Sequence, residues 1–406
     1  MALVIYTTPN YTENAVRFIQ TLVHLDGVRI GLISQEPREW LPAEIQARLA
    51  DFQQVDDVFN ASQLEAAAKL LAGRQGKIHR ILGAVEQAQV PVAQVREALG
   101  IEGMDVETAH NFRDKGRMKN LLREAGLPCA RHSKVTSKKD AFAFADFVGY
   151  PLVVKPPDGA ASQSTYRANN AEELEKALSL NPPAPGHEVM LEEFITGDEF
   201  SFDTFSLNGK PVFHSLTHYF PNPLEVMREP WIQWQVLLPR EIDVPVYDDI
   251  KQAAFKTLET LGMSTGMSHL EWFRRSDGSI AISEVAARPP GAQITTLISR
   301  ANDFDSVAAW ARLMIFGEFP ELERKYAVGA AFLRGQGTGR VREVQGLEQV
   351  HREFGHLVCD AKIPRTGQEK SLSYEGEGYI LLRHPETAVV KEALGRVVST
   401  VRVILG

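Results

Sequence analysis

The chain opens with alternating segments of two hydrophobic periods. LVIYTT, residues 3–8, is an apolar run of strand length, and NAVRFIQTLVHL, residues 14–25, carries its apolar positions at helical spacing. GVRIGLIS at 27–34 predicts a second strand, followed by a helical stretch from about Pro42 to Phe52. HRILGAVE at 79–86 predicts another strand, and VAQVREALGI a helix that Gly100 ends. Strand alternating with helix is the pattern of a parallel α/β unit, so residues 1–105 are expected to form an open α/β domain. No GxGxxG turn follows its first strand, so nothing there points to a dinucleotide.

The texture changes after Asp105. DKGRMKNLLREAGLP predicts a helix with Met118, Leu121, Leu122 and Ala125 on one face, ended by Gly126 and Pro128. YPLVVKPPDGAASQS reads as a strand running into a loop of small residues, and AEELEKALS as a helix. A hairpin is expected around Asn208-Gly209 and a second around Asp277-Gly278. The Pro- and Trp-rich residues 219–241 read as an ordered insertion, and 303–316 as a helix. Short strands and one last helix from about Ala327 suggest a small closing unit.

With 406 residues the chain is too long for a single core. Its 44% hydrophobic and 24% charged residues are ordinary for a globular protein. Cys129 and Cys359 form neither a CxxC pair nor a disulfide framework, which fits a reducing compartment such as the cytoplasm. No secretory leader is expected in MALVIYTTPN, and no apolar run reaches membrane-spanning length. A net charge of −8 argues against a nucleic-acid surface.

The second hairpin carries the strongest chemical signal. With a two-residue turn at Asp277-Gly278, Ser276 faces Ser279 and Glu271 faces Glu284 at roughly 4.5–5.5 Å between Cβ atoms. Like charges so placed repel unless a cation lies between them, and Mg²⁺ or Mn²⁺ suits two carboxylates. His269, Phe273, Ile282, Ala286 and Arg288 are expected on the same face. The alternative is a solvated hairpin with two surface glutamates. The same arithmetic at the first hairpin sets Asp203 opposite His214 and Glu199 opposite His218, giving a polar face that either lines a cleft or is wet surface. Lys155, ending the apolar strand PLVVK, needs an anionic partner, for which nucleotide phosphate is a candidate. Lys115 opens the earlier helix beside Asp114.

In this order the pieces resemble the ATP-grasp enzymes over about residues 80–320. DK at 114–115, YPLVVKP, DGAASQS at 158–164, LEEFITGDE and the two opposed glutamates match successive elements of that family. The resemblance implies an N-terminal α/β (pre-ATP-grasp) domain over 1–105 and a two-lobed α+β ATP-grasp domain over 106–326, hinged near 192–199. It implies a small, mainly β C-terminal unit over 327–406. It also implies that Lys115, Lys155, Ser162 in the phosphate loop, Glu192, the backbone of Glu193, Phe194 and Ile195, and Glu199 bind ATP. Glu271 and Glu284 would be metal ligands, and Arg288 would act on the transferred phosphate. Ala286 stands where many members have asparagine, so a metal ligand there is missing or supplied by water.

EVAARPPG is similar to the branch containing L-amino-acid ligases. That resemblance implies an ATP-dependent carboxylate–amine ligase working through an acyl-phosphate, with a small-molecule acid and amine as partners and a homodimer left open. The alternatives are an ATP-grasp enzyme with a non-amino-acid second substrate and a non-catalytic ATP-binding module. The amine needs a base, for which His218, His214 and His269 are candidates. Ala292, four residues after Arg288, predicts room for a sizeable substrate. RGQGTGR at 334–340 imitates a phosphate loop but lacks a following helix, so a glycine-rich turn is the better account.

Overall fold

The structure, a computed structural model, describes residues 1–155, 166–229 and 231–406. The N-terminal alternation builds a four-stranded parallel sheet in the order Asp51–Gln54, Val28–Ser34, Ala2–Thr8, Ile78–Gly83. Phe18, Ile19 and Leu22 of the first helix pack on one face, and Leu64, Leu71 and Val92 from two later helices on the other. The helix expected to reach Phe52 stops at Arg48. Asp51–Gln54 is instead the edge strand, started by the Ala50 N–H donating to Ile30 O at 2.8 Å. DFQQ carries no strong local preference for a strand. Its extended form comes from pairing with a neighbour already in place.

A small antiparallel sheet follows, ordered His132–Val135, Val189–Glu193, Leu152–Lys155, Tyr166–Ala168. The helices Lys138–Val148 and Ala171–Leu180 back it, burying Ala141, Ala145, Leu174 and Leu178. The largest sheet has eight antiparallel strands, in the order Ile280–Ala286, Gly266–Arg274, Asp198–Leu207, Lys210–Phe220, Gln235–Leu238, Ala327–Leu333, Gly378–His384, Val358–Lys362. It runs across residue 327 without interruption, so the C-terminal strands extend the sheet that carries both hairpins. A three-stranded sheet and two helices, Leu347–Phe354 and Thr387–Thr400, complete the C-terminal part, one helix more than expected. Among the described residues no helix is long and apolar enough to cross a membrane.

The small and large sheets are joined by the few residues between Glu193 and Asp198. There the backbone passes hard against the strand Gly266–Arg274: a β-carbon on Gly197 would fall inside the van der Waals radius of Arg274 O. Gly197 O also accepts from Asn222 Nδ2 at 3.1 Å, and Asn222 Oδ1 accepts the Glu199 N–H at 3.1 Å, so the insertion staples the crossing. Gly197→Ala should therefore cost about 1–3 kcal/mol in urea unfolding, because backbone rather than a flexible side chain must yield. A midpoint equal to wild type would show that the crossing has slack.

Candidate active site

A cavity of about 530 Å³ lies between the small and large sheets. Each wall is set by local rules. Asp114 caps the helix Lys115–Glu124, its Oδ1 accepting from the N–H groups of Gly116 at 2.9 Å and Arg117 at 3.0 Å. The cap places Lys115 at the first helical position, where its ammonium reaches Glu284 Oε1. One turn on, Lys119 is fully buried, with Nζ 2.8 Å from Ser283 O and 3.4 Å from Glu192 Oε1. Lys155 ends its strand with Nζ 2.8 Å from Glu192 Oε2. Burial alone would raise the Glu192 carboxyl, but Lys119 and Lys155 hold it at about 2.

Glu271 does face Glu284, for a reason other than a two-residue turn. The Arg275 N–H donates to Ser279 O at 2.8 Å, leaving a three-residue turn, Ser276 to Gly278, with Gly278 at φ +84. That shifts the register by one. Trp272 faces Ile282 while Glu271 faces Glu284, so Ser283 is a bulge that shifts it back. The two irregularities cancel at the glutamates. Between them Ile282 turns into the core with Trp272, not into the cavity as expected.

Each glutamate has its own cation. Against the burial that would raise its carboxyl, Lys115 and Lys155 hold Glu284 at about 2. Glu271 Oε1 lies 3.5 Å from His269 Nε2, and His269 Nδ1 lies 2.7 Å from Oδ1 of the fully buried Asp203. Burial disfavours a charged imidazole, but Asp203 and Glu271 lift His269 to about 9. Asp203 is further satisfied by the hydroxyls of Ser201 at 2.9 Å and Thr217 at 3.4 Å. Glu199, also in the cavity wall, is pushed well above the usual carboxylate range by burial and then by Glu271.

Arg288 approaches from the other side, its Nε and Nη2 donating to Glu86 Oε2 at 3.1 and 3.0 Å. Glu193, Phe194 and Ile195 line the cavity beside Arg167, whose guanidinium lies 4.1 Å from the Phe194 ring centroid. Lys115, Lys155, Glu192, Glu193, Phe194, Ile195, Glu199, Glu271, Glu284 and Arg288 are thus brought to one cavity. Ser162 lies outside the described residues. Glu271 and Glu284 offer a hard cation two carboxylates, and among the described residues no group of three or more acid, His or Cys side chains is arranged to hold a metal.

His218 is not in the site. The hairpin at Asn208-Gly209 starts in the expected register, Lys210 facing Leu207, but a bulge at Val212 moves every later residue by one. His218 then faces Phe200 and His214 faces Thr204. His214 stacks on Phe202, and His218 packs edge-on to Phe200 while bonding the Tyr247 hydroxyl at 2.9 Å. The same shift turns Tyr219 into the cavity. Sequence reasoning missed Tyr219 for that reason. It also missed Lys119, whose four-residue spacing from Lys115 was a readable signal, and Glu86, Trp234 and Tyr374, which nothing local marks.

The ATP-grasp domain profile matches residues 148–297. An L-arginine-specific L-amino acid ligase from Bacillus subtilis is 26% identical over 251 residues, covering 61% of this chain and 60% of that protein. An alanine–anticapsin ligase from Bacillus subtilis (strain 168) is 25% identical, covering 68% of this chain and 63% of that enzyme. The matched stretch thus spans less than two thirds of either relative. The crystal structure of an L-amino acid ligase from Bacillus licheniformis superposes with a TM-score of 0.81 at 18% identity, over 100% of this chain and 99% of that one, which shows a shared fold.

The placement of His218 can be checked by pH. Burial holds its imidazole down at about 4 against an ordinary 6.5, with Lys391 adding to the effect. The unfolded chain therefore binds the proton first. Stability from the neutral ring is complete above pH 6.5 and lost as pH falls toward 4, by up to about 3 kcal/mol. His218→Phe should lose visibly less stability than wild type between pH 6.5 and 4. Parallel pH–stability curves would put His218 in water.

Proposed function

Residues 148–297 being an ATP-grasp domain, we propose that the chain is an ATP-dependent carboxylate–amine ligase that forms an amide or peptide bond, with an amino acid as one substrate. One observation carries this reading: Lys115, Lys155 and Arg288 converge with two opposed glutamates in one cavity, and the buried Lys119 backs Glu192 in its wall. A triphosphate, a divalent cation and an acyl-phosphate together present that demand. The ligase relatives lead to the same chemistry.

The units 1–105, 106–326 and 327–406 each supply a wall, through Glu86, the two sheets and Tyr374. Lys115 and Lys155 serve the phosphates, exchanging Glu284 and Glu192 for them. Glu192 and the backbone of Glu193 to Ile195 face the adenine, and Glu199 takes the ribose hydroxyls. A Mg²⁺ or Mn²⁺ ion held by Glu271 and Glu284 would neutralise charge shared by the phosphates. The two carboxylates fit such an ion, because they face each other across the strand pair and each lies against a positively charged or protonatable group.

The substrate carboxylate oxygen attacks the γ-phosphorus and ADP leaves, giving the acyl-phosphate. The amine nitrogen then attacks the acyl carbon, phosphate leaves, and the amine gives up a proton. Arg288 faces the charge that grows on the transferred phosphoryl group. No histidine is assigned as base, since His214 and His218 face away and both ring nitrogens of His269 are engaged by Asp203 and Glu271. We place the enzyme in the cytoplasm, where ATP is available and the free Cys129 and Cys359 stay reduced.

Glu271→Gln and Glu284→Gln should each lower metal-dependent turnover by ~10²-fold or more, an effect on the scale of losing one transition-state contact, while circular dichroism shows the chain still folded. Full activity in both variants would remove the hairpin from the reaction. Turnover should release ADP and phosphate, and hydroxylamine should trap the acid as a hydroxamate. Arg288→Ala should lower kcat by ~10²–10³-fold while ATP affinity stays within a few fold. Release of AMP would overturn the mechanism.

A further inference from the structure

One wall of the cavity is aromatic and comes from two distant segments. Tyr219 and Trp234 belong to the insertion, and Tyr374 to a loop of the C-terminal part. Trp234 lies with its ring centroid 5.6 Å from Tyr219 and 4.8 Å from Tyr374, the latter edge-on. Its indole N–H is already given to Pro221 O at 3.0 Å, so it turns only apolar surface to the cavity. Ala292 and Ile294 line the same cavity and pack in one cluster with these rings.

The turn carrying Ala292 is unusual. Ala292 at φ 51 and Gln293 at φ 58 are consecutive non-glycine residues in the left-handed region, a conformation that persists only where its surroundings enforce it. The enforcing group comes from the same C-terminal loop. Glu375 Oε2 accepts from Gln293 Nε2 at 3.3 Å, and the Ala292 backbone lies beside its carboxylate. Gln293 Oε1 accepts from the Thr296 hydroxyl, which Arg17 Nη1 contacts at 2.7 Å. The loop is itself anchored: the buried Glu377 takes the N–H groups of Gly335 at 2.5 Å and Ser371 at 2.8 Å. The glycine-rich RGQG turn therefore serves as an anchor for this loop.

We infer that the Tyr374–Glu375 loop sets the specificity of the substrate seated beside Arg288. Tyr374 is a contact residue in an aromatic wall selecting a bulky apolar or aromatic side chain, and Glu375 is a positioning residue holding the Ala292–Gln293 turn packed beside it. The inference rests on the ligase reading for its substrate being an amino acid, but the selection is read from binding alone. In calorimetry on the full chain with a non-hydrolysable ATP analogue and Mg²⁺, L-phenylalanine or L-leucine should bind at least tenfold tighter than glycine or L-alanine.

Tyr374→Ala should erase that preference while analogue affinity stays within twofold, and Tyr374→Phe should keep it. Glu375→Ala should weaken L-leucine at least tenfold, and Ala292→Gly in that background should recover part of the loss, because glycine takes the left-handed turn without strain. Glycine binding as tightly as L-phenylalanine, Tyr374→Ala weakening the analogue equally, or no recovery by Ala292→Gly would each overturn the inference. Selective binding with no phosphate release for any acid and amine pair would sink the ligase reading and leave this one standing.

Discussion

Two carboxylates facing each other across a strand pair repel, and in this protein the whole cavity is built around holding them there. Lys115 answers Glu284 from the start of a helix that Asp114 caps. His269 answers Glu271 and is itself charged because Asp203 sits behind it. Burying ions is costly unless each has a partner, and removing one partner leaves the other exposed to the full penalty. The network is therefore closed: cap, lysine, glutamate, glutamate, histidine and aspartate form one chain of dependence from the helix Lys115–Glu124 to the large sheet.

A site so balanced is ready to exchange partners. Lys155 rests on Glu192, which the buried Lys119 also backs, and Arg288 rests on Glu86. Phosphate oxygens offer Lys155 and Arg288 equivalent or better acceptors.

The cavity is also a meeting place of segments far apart in the chain. Glu86 follows the last strand of the parallel sheet, Lys155 ends a strand of the small sheet, and Tyr374 arrives from beyond the sheet's Ala327–Leu333 strand. The Gly197 crossing lets the two sheets approach from either side, and the Asn222 staple fixes the insertion as a wall between them. The aromatic wall follows from that arrangement, since Trp234 can meet Tyr374 only when the insertion and the C-terminal loop share one sheet.

Sequence alone determined the alternation of the N-terminal unit, the helix that presents Lys115, and the strand that ends in Lys155. These follow from period, capping and charge, which act over a few residues. The glutamate register survived only because the longer turn at Ser276–Gly278 and the bulge at Ser283 displace it in opposite senses. At the other hairpin a single bulge at Val212 had nothing to offset it, and with a side-chain period of two it exchanged His218 for Tyr219 in the cavity. Bulges are decided by how a strand fits its neighbours. Pairing likewise made a strand of Asp51–Gln54, and packing brought Glu86, Trp234 and Tyr374 to the site. Such placements depend on contacts between residues tens to hundreds of positions apart, and only the tertiary structure decides them.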